Sequence, residues 1–180
     1  LMTTPEILRL VNIFARLGID KVRLTGGEPS IHPDLIEIVR GIHDAGISRI
    51  SMTTNGLRLA DLAKPLKAAG LERVNVSVDT LDPERFHRVT RWGKLDKVMA
   101  GIHAAEANGL TPLKINAVVA RGFNEDDVVG LAGLTLAHPW QVRFIEMMPF
   151  GDVANFAQDA VVSQAEIIQR LRGIRHPLQH

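Results

Sequence analysis

The 180-residue chain contains no cysteine and no tyrosine, and its aromatic residues amount to only 4%. The missing cysteine excludes a thiol nucleophile, a cysteine-ligated zinc site and any protein-thiolate iron–sulfur cluster within these residues. It also removes disulfides as a sign of secretion. The scarcity of aromatics leaves no platform on which single-stranded nucleic acid would stack. Charge of one sign is lacking too, since 21 Lys and Arg stand against 20 Asp and Glu, a net +1. The basic residues are scattered, so nucleic acid is not an expected partner. No stretch approaches the ~18 apolar residues of a membrane helix, and Leu1-Met2-Thr3-Thr4-Pro5-Glu6 lacks the charged and apolar regions of a signal peptide. A cytoplasmic location is therefore expected. What is present is 46% hydrophobic and 23% charged residues, and a single domain of this size buries ~70% of its unfolded surface without staples.

Apolar runs rich in β-branched residues recur at even intervals: Val22–Leu24, Arg49–Met52, Val74–Val78, Ile115–Val119 and Val142–Ile145. They read as five short strands. Between them lie helical patterns with start and stop signals. Thr4-Pro5-Glu6 opens the first helix, with Thr4 as cap, and Leu17-Gly18 closes it. Pro33 opens a second that stops at Gly46, and Leu59–Ala69 forms a third that Pro65 shortens or kinks. Asp82-Pro83-Glu84 starts a short helix, and Leu95–Asn108 is a longer one. Asn124-Glu125-Asp126-Asp127 opens a helix reaching about Ala137, and Ser163–Glu166 is a capping box for the last. Units of ~30 residues with short connections predict successive βα units and a parallel sheet with right-handed crossovers. Gly151–Ala160 is the one linker candidate, after a core of about 1–150 and before a helical segment at about 160–172.

In parallel α/β sheets, ligands gather at the carboxyl ends of strands, because every βα loop emerges on that edge. All five predicted strands bring polar groups there. Gly26-Gly27 is either an ordinary glycine turn or a place where backbone approaches a ligand closely, and the adjoining Glu28-Pro29 favours the latter. Thr53-Thr54-Asn55-Gly56 offers hydrogen bonds to phosphate or sugar, but it is also a good turn on local grounds. Asn75, Ser77 and Asp79 alternate onto one face, where three polar residues in register are cheapest around a polar cavity. Lys114 and Asn116 share a face. Lys114 either snorkels to solvent or joins Arg23 and Arg143 around a polyanion. The seven histidines have no metalloprotease spacing and three precede proline, so no metal site is expected. Met147-Met148 reads as core filler, or as the wall of an adenine pocket.

Lys21-Val22-Arg23-Leu24-Thr25-Gly26-Gly27-Glu28-Pro29 resembles the glycine-glycine-glutamate-proline motif of radical S-adenosylmethionine enzymes. Thr53–Gly56, Asn75–Asp79, Leu113–Val119, Gly122–Asp126 and Val142–Pro149 then fall in the order and spacing of one family within that superfamily, the GTP 3′,8-cyclases (molybdenum cofactor biosynthesis protein A). The resemblance covers nearly all of residues 1–170. It implies an α/β fold, a partial (βα)6 TIM-like barrel of five parallel strands alternating with helices and lacking the first strand. It further implies a S-adenosylmethionine site at Gly27, Ser77 and Met148, with Gly26, Glu28 and Asn55 as weaker members. A GTP site is implied at Arg23, Thr53 and Lys114, with Asn116 and Arg143 as weaker members. The implied chemistry is reductive cleavage of S-adenosylmethionine to a 5′-deoxyadenosyl radical, abstraction of the ribose 3′ hydrogen of GTP and closure of C3′ onto C8 of guanine. The implied partner is the next enzyme of molybdopterin synthesis, cyclic pyranopterin monophosphate synthase.

The family's [4Fe–4S] clusters require cysteines, which the resemblance places before Leu1, in a CxxxCxxC loop with the first strand, and beyond His180. These 180 residues are accordingly expected to be inactive in isolation. An uncovered sheet edge also predicts self-association, as in a homodimer, or a strained fold. Three other readings stand beside the cyclase: a cysteine-free module that binds a nucleotide or S-adenosylmethionine without catalysis, a different radical S-adenosylmethionine enzyme, and an aldolase-like use of Lys114 as a Schiff-base nucleophile.

Overall fold

A computed structural model describes residues 2–91, 93–147 and 160–172 of the chain. Among these the elements run α1 (Thr4–Arg16), β1 (Lys21–Leu24), a 3₁₀ turn (Pro29–Ile31), α2 (Leu35–Asp44), β2 (Arg49–Thr54), α3 (Leu59–Ala68), β3 (Arg73–Ser77), α4 (Pro83–Thr90), α5 (Leu95–Ala107), β4 (Lys114–Val119), α6 (Val128–Ala137), β5 (Gln141–Glu146) and α7 (Gln164–Arg172). The five strands and the helices between them match the predicted alternation. The residues divide into two compact units, one from Leu1–Ser77 with Gly93–Leu113 and one from Val78–Trp92 with Lys114–His180.

In the first unit β1, β2 and β3 pair in parallel and in chain order. Side chains alternate across a strand, so the register decides what each face presents. Leu24, Met52 and Val74 form one row, and Ile50 and Val76 point the same way. This apolar face packs against the helices: Ile42, Ile50, Met52, Leu59, Leu66, Leu71, Val74, Val76, Val98 and Ile102 are at most 1% exposed. Each such side chain contributes ~1.5–3 kcal/mol of burial. Pro65 lies inside α3, which runs on to Ala68. Burying Leu59 and Leu66 on that helix offsets the ~3 kcal/mol a mid-helix proline costs. Gly56 and Gly101 let α3 and α5 meet, since a Cβ on Gly101 would stand 2.6 Å from the Gly56 carbonyl oxygen.

The opposite face of the same strands is polar. Arg23, Ser51 and Arg73 stand in one row, and Thr53 and Asn75 in the next. In the second unit β4 and β5 pair in parallel, with Lys114 beside Gln141 and Asn116 beside Arg143. Val119, Val128, Val162 and Ile167 form its apolar cluster, against which Phe144 and Leu171 pack.

Several local expectations are corrected. The cap of α1 is Thr3, one residue before the predicted Thr4. The Glu6 carboxylate accepts from the Thr3 amide at 2.7 Å and the Thr3 hydroxyl at 2.8 Å, the i to i+3 spacing of a capping box. Thr4 instead donates its hydroxyl to Asp34 at 2.7 Å. The second helix begins at Leu35, after Pro33. Asn124–Asp127 form a turn before α6 rather than its first turn, because their side chains serve other strands and helices. Asn124 donates to the carbonyls of Asp79 at 2.6 Å and Val118 at 2.8 Å, and Asp127 takes Arg85 at 2.7 Å. Only half of the Ser163–Glu166 box forms: the Glu166 amide donates to Ser163 Oγ at 3.3 Å, while its carboxylate turns to Arg121 and Arg170. No helix among the described residues is long and apolar enough to cross a membrane. Most of the predicted linker, 151–159, lies outside the described residues.

Candidate functional site

The carboxyl ends of β1, β2 and β3 converge on one cleft of about 270 Å³ in the first unit, lined by Thr25, Gly26, Gly27, Glu28, Thr53, Thr54, Asn55 and Ser77. Parallel pairing in chain order brings three βα loops to one edge. Of the residues singled out for a ligand, Gly26, Gly27, Glu28, Thr53, Asn55 and Ser77 meet there.

Gly26 has φ +137°, a conformation that favours glycine. Gly27 has no such conformation, and a Cβ built on it would meet nothing within 4 Å. Neither backbone strain nor packing within the protein accounts for glycine at position 27. The contrast is Gly56, where an added Cβ would strike Val76 at 2.8 Å and Val98 at 2.9 Å. Gly27 lines the cleft and keeps open space where a side chain would stand, which leaves its backbone accessible to a bound molecule.

Glu28 spends its carboxylate on the protein. Oε1 accepts from the Ser30 amide at 3.0 Å and the Thr54 hydroxyl at 2.7 Å, and Oε2 accepts from the Asn55 amide at 2.6 Å. Thr54 Oγ1 in turn accepts from the Gly56 amide at 3.2 Å, and Asn55 Oδ1 from the Leu57 amide at 3.0 Å. Beneath the cleft Asn75, only 4% exposed, donates from Nδ2 to Thr53 Oγ1 at 3.4 Å. Ser77 is exposed at the end of β3. These groups can hold a polar, nucleoside-sized ligand through hydroxyls, an amide side chain and main chain.

Arg23 does not line this cleft. It stands in register with Ser51 on the strand edge and borders an apolar groove between α1 and β1, together with Phe14 and Leu10. Lys114, Asn116 and Arg143 belong to the second unit, where Asn116 and Arg143 are neighbours across β4 and β5. Asn116 Oδ1 is buried there without a hydrogen-bond partner. Met148 lies outside the described residues. Asp79 turns from the predicted polar row to a structural task, accepting from the Val118 amide at 2.9 Å, and burial pushes its carboxyl above the usual range. Arg73 was not anticipated. It completes the row Arg23–Ser51–Arg73, a signal legible only once strand register is known.

Outside the cleft, charges are paired locally. The Arg121 guanidinium beside Glu166 holds that carboxyl below its ordinary value, and Arg85 does the same for Asp126. Each pair has one solvent-exposed partner, Asp126 and Arg121, and contributes little to stability.

A family model described as the radical SAM superfamily matches residues 1–134. The chain is 42% identical over 175 residues to the GTP 3′,8-cyclase of Alkaliphilus metalliredigens (strain QYMF), covering 97% of this chain and 55% of that one. It is 47% identical over 174 residues to molybdenum cofactor biosynthesis protein 1 of Mus musculus, covering 96% of this chain and 27% of that protein. The chain therefore spans about half of the first relative and about a quarter of the second. Among solved structures it resembles a radical SAM methyltransferase from Sphaerobacter thermophilus, with TM-score 0.68, 19% identity and coverage of 98% of this chain and 56% of that one. It also resembles methylornithine synthase, with TM-score 0.69, 19% identity and coverage of 95% and 52%. At those identities the likeness establishes the fold.

Proposed function

Because the chain belongs to the radical SAM superfamily, we propose that it forms the ligand-facing part of a GTP 3′,8-cyclase, a lyase of molybdenum cofactor biosynthesis acting in the cytoplasm. The observation that carries this reading is the open glycine cradle at Gly26–Gly27 within a cleft built from three strand ends. The 42–47% identity to proteins named for that activity and pathway supports the choice of substrate.

The family implies S-adenosylmethionine and a [4Fe–4S] cluster. The cleft suits the first: space at Gly27 admits the aminoacyl portion, and Ser77 and Asn55 offer polar groups to the ribose, with Met148 assigned to the adenine. The chain does not suit the second, since none of its 180 residues is a cysteine. When bound and reduced, S-adenosylmethionine supplies a carbon radical able to take a hydrogen from an unactivated C–H bond. The protein's own task is to place the two ligands and exclude water. Thr53 is assigned to GTP from the cleft, and Arg23, Lys114 and Arg143 supply the positive charge its triphosphate requires. Asn116, whose Oδ1 lacks a partner, offers an acceptor to an N–H donor of the substrate.

The test is a chimera in which these 180 residues replace the matching segment of a full-length GTP 3′,8-cyclase, assembled anaerobically with its clusters. Conversion of GTP to (8S)-3′,8-cyclo-7,8-dihydroguanosine 5′-triphosphate is expected. A folded, cluster-loaded chimera that cleaves S-adenosylmethionine yet leaves GTP unchanged would reject GTP as the substrate. Pull-down of cyclic pyranopterin monophosphate synthase by the active chimera would test the proposed partner.

A further inference from the structure

The geometry points to Glu28 as a positioning residue: its carboxylate staples the β1 loop to the end of β2 and thereby fixes two walls of the cleft, without itself being the ligand's anchor. The proposal rests on the S-adenosylmethionine reading only for the identity of the ligand.

A carboxylate offers about four acceptor positions, and the protein fills three of those on Glu28. The donors come from both sides of the cleft. Ser30, two residues along the same loop, supplies one amide, while Thr54 and Asn55 at the end of β2 supply a hydroxyl and an amide. Thr54 is 3% exposed, and its hydroxyl is used twice, donating to Glu28 and accepting from Gly56. The chain of bonds from Ser30 through Glu28 and Thr54 to Gly56 is thus continuous.

Its mechanical sense follows from what flanks it. Gly26 and Gly27 precede Glu28, have no side chains to hold them, and have open space where a Cβ would stand. A loop of that composition is the most entropically costly kind to fix. The staple supplies from outside the pair the order that the pair cannot supply. It also pins the main chain of Asn55, which lines the same cleft as Gly27 and Thr53. Hydrogen bonds to an ionised acceptor are the strong ones, and a neutral glutamine would set an NH2 group against one of these donors.

The test uses the 180-residue chain, read by residue-resolved amide exchange and by titration with S-adenosylhomocysteine. In Glu28→Gln and in Thr54→Val, exchange at the Asn55 amide is expected to rise on the order of 10- to 100-fold, the span of a lost hydrogen bond to a charged acceptor. S-adenosylhomocysteine binding is expected to weaken in parallel. Thr54→Ser, which keeps the hydroxyl, restores both, and the double variant Glu28→Gln with Thr54→Val falls short of the summed effects because one staple is broken twice. If Glu28→Gln does not fold, Glu28→Asp, too short to span both loops, takes its place. Unchanged Asn55 exchange in the Glu28 variant overturns the proposal. So does loss of S-adenosylhomocysteine binding in Glu28→Gln with none in Thr54→Val, which would make Glu28 a direct contact. A wild-type chain that shows no shift with S-adenosylhomocysteine counts against the ligand reading, while the exchange data still decide the staple.

Discussion

Adjacent glycines in the cleft should respond to alanine with opposite signs. At Gly26, φ is +137°, and an L-residue forced into such a conformation costs ~1–3 kcal/mol. At Gly27 the backbone lies outside that region and an added Cβ meets no atom within 4 Å. Alanine there removes freedom from the unfolded chain and stabilises by ~0.4–1 kcal/mol. The two variants should therefore differ by roughly 1.5–4 kcal/mol, read as a difference in urea midpoint at constant slope. Binding should follow a different order. Gly27→Val fills part of the cleft of about 270 Å³ while leaving the fold intact, and a clash worth ~1–3 kcal/mol lowers S-adenosylhomocysteine affinity ~5- to 150-fold. The reasoning fails if Gly27→Ala destabilises as much as Gly26→Ala, because position 27 would then be glycine for the fold. It fails equally if Gly27→Val binds the ligand as the parent does.

The remaining expectations concern each unit separately. Asn124 is fully buried and its amide holds the carbonyls of Asp79 and Val118 while its oxygen accepts from Ala120, so Asn124→Ala should cost ~2–5 kcal/mol in urea unfolding, and a loss below ~1 kcal/mol would show the three bonds to be replaceable by water. Asp79 has a carboxyl pushed above the ordinary 3.8 by burial. The stability linked to its protonation is fully present below that value and is lost as pH rises through the raised one. Asp79→Asn, which keeps an acceptor for Val118, should therefore be the more stable protein at neutral pH, with the gap closing on acidification, and parallel stability curves at all pH would refute the assignment. Leu10, Ile13, Phe14 and Ile19 are each at least 40% exposed, and Leu10, Phe14 and Ile19 line the α1–β1 groove. The chain should self-associate in light scattering, Phe14→Glu should shift it toward monomer, and a parent chain that stays monomeric at high concentration would count against an adhesive face.

Strand and helix order was legible because apolar runs, glycine stops and proline starts agree with one another along the chain. Boundaries failed where side chains leave their own segment. Asn124 to Asp127 carry every local mark of a helix start, and only their bonds to Asp79, Val118 and Arg85 explain why α6 waits until Val128. Thr3 took the cap from Thr4 for a reason present in the sequence, the three-residue spacing to Glu6. Within the site, the residues of the three strand ends could be listed from sequence, but their division of labour could not. Glu28 reads as a ligand group beside two glycines until its carboxylate is found facing Thr54 and Asn55. Arg23 reads from the sequence as a partner of Thr53 and Lys114 for GTP, and the register places it one row below Thr53, beside Ser51.

Polar groups in this chain sort by whether the protein already answers them. Glu28, Thr54, Asn75, Asp79 and Asn124 each have protein partners and shape the walls. Gly27 and the Asn116 oxygen have none within the protein: one keeps empty space and the other an unanswered acceptor. A buried acceptor without a partner costs ~1–3 kcal/mol, and an open glycine forgoes the stability alanine would add there. Gly27 lies in the loop after β1 of the first unit and Asn116 on β4 of the second, and at each a ligand rather than the fold would have to repay that cost. The same reasoning bears on the missing cysteines: no thiolate among the 180 residues can hold an iron–sulfur cluster.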